Sequence, residues 1–144
     1  LANLELDLND SDRLMALRPE LSRPPEAEAP PRYLWLTRLT VAEGKATEFA
    51  ALYKRVIRAH EAHADGQTWL AYANVIGGNG SELLLMYGFD RFADLDGWPS
   101  RREVLTALIG EVEAGRLSAA LSAVSSTTTS LWHLEPALSQ LQPK

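Results

Sequence analysis

The chain has no cysteine, which removes disulfides, thiolate catalysis and sulfur-ligated metals together. That absence does not assign a compartment. Basic charge is also scarce: 14 Lys and Arg against 19 Asp and Glu leave a net charge of −5. Binding a nucleic acid needs a basic stripe that displaces phosphate counterions, and none is present, so no nucleic-acid partner is expected. Lys54, Arg55 and Arg58 do cluster, but on the polar side of a helical pattern, where they read as a solvated face. Long apolar runs are missing as well, and no segment reaches the ~20 residues of a bilayer-crossing helix, so no membrane partner is expected. The chain opens on Leu1, without a charged start followed by an apolar core. We expect a chain trimmed, processed after loss of a signal peptide, or expressed as a segment, with cytoplasmic and exported origins both open.

What remains is 144 residues, 46% hydrophobic, enough for one domain with a real core and about thirty residues of lead-in. Residues 1–31 differ from the rest. Leu4, Leu6 and Leu8 alternate with polar residues, and residues 23–31 form a proline-rich run that reads as a stiff linker. The division expected is an N-terminal extension (1–31), a folded domain (32–136) and a tail (137–144). One echo crosses these boundaries: Leu14, Leu17, Pro19, Leu21 and Ser22 recur at one constant offset as Leu131, Leu134, Pro136, Leu138 and Ser139. The chain then begins with the tail of an earlier repeat, or two short strands share an ending by chance.

From Arg32 to Pro136 the pattern reads strand, helix, strand, strand, helix, strand. The first strand, residues 33–41, sets Tyr33, Trp35, Thr37 and Leu39 against Leu34, Leu36 and Arg38 on the opposite side. A helix to about His63 follows, with Phe49, Leu52, Tyr53, Val56 and Ile57 on one stripe. Residues 68–76 and 82–89 read as strands joined by a turn at Gly77-Gly78-Asn79-Gly80. Leu83 to Met86 are four large apolar residues in succession, as in a strand buried on both sides. A second helix carries Val104, Leu105, Leu108, Ile109 and Val112 until Gly115 breaks it, and a short helix and a final strand at 131–134 complete the run. Strands apolar on both faces need two covers. The helices supply one; a second copy, meeting the face that carries Leu34, Leu36, Leu84 and Met86, is expected to supply the other.

Leu39-Thr40-Val41-Ala42-Glu43-Gly44-Lys45, with Phe49 four residues on, resembles the dimeric α+β barrel proteins. Tyr87-Gly88-Phe89-Asp90-Arg91-Phe92-Ala93-Asp94-Leu95 is similar to that family's third strand and the corner after it, and Leu131 to Ser139 is similar to the tails of many members. The resemblance implies an α+β fold: a ferredoxin-like β-α-β-β-α-β subunit, its antiparallel four-stranded sheet carrying helices on one face, paired into a dimeric α+β barrel. Such folds host cofactor-free monooxygenases, haem-degrading and chlorite-decomposing haem proteins, isomerases and members without known activity, so fold leaves function open.

His60 and His63 lie within about forty degrees of Phe49 on a helical wheel, pointing toward the sheet. His60 is the candidate general base and His63 a candidate ligand contact, although histidines in a last helical turn also complement the helix dipole. Their i, i+3 spacing is not the i, i+4 pair of a zinc protease, and no metal is expected. Tyr33, Trp35, Thr37, Tyr87 and Phe89, with Trp98 at the mouth and Asn74 as a polar edge, form the candidate ligand pocket, where aromatic residues could equally be core. Arg38 reads as structural. The haem-degrading branch carries a histidine on its second long helix, and residues 101–112 contain none; it also uses an asparagine near the position of Thr37. No cofactor is expected. The function expected is binding of a small apolar or aromatic molecule, or assembly, with cofactor-independent oxygenation of an aromatic or polyketide-like substrate as the alternative.

Overall fold

The computed structural model describes residues 14–26, 29–64, 66–76 and 81–135. In chain order its elements are β1 (Leu14–Leu17), β2 (Tyr33–Val41), α1 (Ala46–His63), β3 (Leu70–Ile76), β4 (Glu82–Phe89), the single turn α2 (Ala93–Asp96), α3 (Arg101–Ile109), α4 (Glu111–Val124) and β5 (Ser125–His133). The strands form one antiparallel sheet in the order β1-β3-β4-β2-β5. The architecture is α+β.

Side chains alternate across each strand, and the register fixes which share a face. Leu39 and Val41 of β2, Ala71 of β3, and Leu83 and Leu85 of β4 are buried in one cluster with Phe49, Tyr53, Val56 and Ile57 of α1, Val104 and Leu105 of α3, and Leu117, Leu121 and Val124 of α4. The long helices therefore cover this face. On the opposite face Leu34, Leu36, Leu70, Tyr72, Leu84 and Met86 are only partly buried. Trp132, in register with Leu34, is 60% exposed there. Arg38 belongs to this face too and is exposed.

The sheet has five strands where four were expected. The fifth is β1, from the segment read as lead-in, and it pairs with the free edge of β3. Beyond it a 3₁₀ turn at Pro19–Leu21 packs against α1 and buries Leu21. The Trp69 indole N–H donates to the Leu21 carbonyl at 2.9 Å, the Ala71 N–H donates to the Ser22 hydroxyl at 2.9 Å, and Arg23 bridges Trp69. This is the first copy of the sequence echo. Of the second copy, Leu131 to His133 lie in β5, and residues 136–139 lie outside the described residues.

Two boundaries also differ from expectation. The helix breaks at Gly110, not Gly115. Gly110 has φ 79° and ψ 158°, a region open almost only to glycine, whereas Gly115 sits inside α4 with no neighbour near its missing Cβ. There the burial of Ala114, Leu117 and Leu121 outweighs the weak helix propensity of glycine. The last strand begins at Ser125 rather than 131, because the β-branched run Thr127-Thr128-Thr129 extends along β2. The expected turn at 77–80 lies outside the described residues.

Candidate functional site

Between the helix-bearing face of the sheet and α1 lies a cavity of about 490 Å³, a volume within the ordinary range of small-molecule sites. Trp35 and Thr37 of β2, Tyr87 of β4, and Thr127 and Thr129 of β5 form its sheet wall. Tyr53, Val56 and His60 face it from α1, and Gln67 and Trp69 come from the approach to β3. The segment from Leu95 through Trp98, Pro99 and Ser100 to Arg101 forms the remaining edge.

Local rules position each of these groups. Trp35, Thr37 and Tyr87 share a face because Trp35 pairs with Tyr87 and the period is two. Thr129 lies opposite Thr37 and Thr127 opposite Leu39, which puts both β5 hydroxyls on the cavity side. Tyr53, Val56 and His60 follow one another at the three-and-four spacing of a helix face. Arg101 is fixed as the first residue of α3 by a reciprocal cap: the Glu103 N–H donates to the Ser100 hydroxyl at 3.2 Å, and the Ser100 N–H donates to the Glu103 carboxylate at 2.6 Å.

The lining is aromatic and edge-rich. His60, 4% exposed, meets Trp69 edge to face with ring centroids 5.2 Å apart. Trp69 lies 5.8 Å from Tyr87, which lies 6.0 Å from Trp98. Burial raises the pKa of both phenols above the tyrosine value of 10.0. For Tyr53 the adjoining Tyr87 adds to that rise and Arg101 opposes it. The Arg101 guanidinium carbon sits 5.9 Å from the centre of the Tyr53 ring, a cation–π distance.

The cavity brings together Trp35, Thr37, His60, Tyr87 and Trp98 from the residues singled out in the sequence. The others stand elsewhere. Tyr33 and Phe89 pair with each other at the end of β2 and β4 and stack at 5.3 Å, joining Phe92 and His133 in an aromatic cluster that adjoins the cavity through the edge-to-face contact of Phe89 with Trp98 at 6.0 Å. Asn74 has the parity of Tyr72 and faces the opposite side of the sheet, beside Met15 of β1. His63, one turn past His60, is exposed. Trp69, Tyr53, Gln67, the β5 threonines and Arg101 were not singled out as site residues. The Ser100-x-x-Glu103 capping signature was the sequence signal that could have placed Arg101 at the start of a helix.

Among the described residues no group of three or more His, Asp or Glu is placed to hold a metal ion, and no helix is long and apolar enough to cross a membrane. No protein-family model matches the chain, and no curated protein matches it.

Proposed function

We propose that this chain is a ferredoxin-like subunit of the dimeric α+β barrel type, and that its cavity binds a small, flat, largely apolar aromatic molecule. The strand order supports the fold: with β1 set aside, β3-β4-β2-β5 is the arrangement that two interleaved β-α-β units generate. The partly buried face carrying Leu34, Leu36, Leu84 and Met86 supports pairing with a second copy. One observation carries the binding assignment. A cavity of about 490 Å³ is walled by Trp35, Trp69, Trp98, Tyr53 and Tyr87, with threonines, His60 and Arg101 as its polar points. Ring faces and edges at this spacing suit a planar guest, and sparse polar groups suit its orientation.

The test is native mass spectrometry of the protein as purified and after incubation with 2-naphthamide. A dimer carrying one added small molecule per subunit is expected. An empty monomer that takes up no naphthamide would contradict both parts of the assignment.

A second reading, cofactor-independent oxygenation, is favoured by the buried His60 on the cavity wall. There a substrate CH₂ would give a proton to His60, dioxygen would add to the resulting carbanion to form a peroxide anion that takes that proton back, and loss of water from the hydroperoxide would leave a ketone. Oxygen uptake with an anthrone, abolished in His60→Gln, would select this reading; no uptake by the wild type would leave binding alone.

A further inference from the structure

The cavity's polar groups say more about its guest than its shape does. Arg101 is the cationic group in the lining, and no carboxylate among the described residues pairs with it. The acids on the neighbouring helical turns are engaged otherwise: Glu103 caps Ser100, and Glu111 pairs with Arg102 at 3.5 Å. Arg101 instead lies over the Tyr53 ring, 5.9 Å from its centre, and shares the cavity lining with Tyr87.

Tyr87 stands on the same wall as Tyr53 and Arg101. A phenol oxygen has two acceptor sites and one proton to give. Tyr87 can give that proton from its position on the cavity wall. Arg101, whose fork has five N–H donors, also keeps donors in hand. Two donors, one of them positively charged, converge on one end of an otherwise aromatic cavity.

Building on the binding assignment above, we propose that the guest is an aromatic acid, its carboxylate held by Arg101 and Tyr87 and its rings between Trp35, Trp69 and Trp98. A carboxylate supplies acceptors to both donors, and it neutralises a charge that would otherwise be costly to desolvate as the cavity fills.

The experiment is a calorimetric titration of the full chain with 2-naphthoate and with 2-naphthamide, which share rings and differ in charge. Naphthoate should bind about tenfold or more tightly than naphthamide. Arg101→Gln should erase that preference, and Tyr87→Phe should reduce it in part. If the wild type binds both probes equally, or if Arg101→Gln keeps the preference, the acid anchor is refuted while the cavity stands. Binding of neither probe overturns the anchor together with the binding assignment.

Discussion

Leu84 and Leu85 adjoin on β4, yet Leu85 is fully buried beneath the helices and Leu84 lies half-buried on the other face. The same contrast runs the length of the sheet. On the helix side Leu39, Val41, Leu83 and Leu85 meet α1, α3 and α4, and the space left over forms an aromatic cavity. On the other side Leu34, Leu36, Leu70, Met86 and Trp132 form an apolar surface of similar chemistry that the described helices do not cover. Composition alone does not separate the two faces. The difference lies in what the chain itself can supply: its crossover helices return to one side of the sheet, and the described helices leave the second side open.

That contrast can be broken most sharply at the Leu84–Leu85 pair. Leu85→Ala removes side-chain volume from a sealed core and should cost about 2–5 kcal/mol. Urea denaturation should return that loss unchanged at every protein concentration. Leu84→Ala should instead lower stability in a concentration-dependent way, since the proposed pairing makes its contribution one of association. Similar, concentration-independent losses at both sites would show that the two faces do not differ as described.

One end of the open face is already covered from within. A Cβ on Gly88 would meet the Pro31 ring at 2.7 Å and 2.9 Å, and Pro31 is a stiff neighbour that cannot swing aside. Gly88→Ala should therefore cost about 1–3 kcal/mol through overpacking, measured by thermal unfolding. No change in Tm would mean that the 29–32 segment is not held against the sheet.

The smallest effect belongs to the cavity side and is read by pH. The folded pKa of Tyr53 lies above its unfolded value, so the fold favours the neutral phenol. That stability is fully present below pH 10 and is lost as pH rises through the folded pKa, because the unfolded chain ionises first. Tyr53→Phe should flatten the fall in stability above pH 10, followed by urea midpoints across an alkaline series. An unaltered slope would remove Tyr53 from the buried wall.

Much of this organisation was legible in the residues. β2 and β4 were readable to their ends because turn residues bound their apolar runs, and α1 because Phe49, Tyr53, Val56 and Ile57 hold helical spacing. β1 was not, since four residues at a proline-rich boundary carry no pattern of their own; they become a strand only where β3 offers an unpaired edge. Gly110 and Gly115 look alike in sequence, and only the φ demanded by the α3–α4 corner separates them. Asn74 was attractive by residue type, although its parity with Tyr72 sets it on the wrong face for the cavity. Arg101 escaped notice because charged residues near a helix start usually face solvent, and its place in the cavity lining appears only once Tyr53 and Tyr87 stand beside it.

The central claim, that a second copy covers the open face, is tested most directly by sedimentation equilibrium of the wild type and of Leu36→Glu at micromolar concentration. A wild-type dimer is expected. The variant should be a monomer with unchanged circular dichroism, because a carboxylate placed in the pairing surface would have to be desolvated without a partner. A wild type that sediments as a folded monomer would contradict the account.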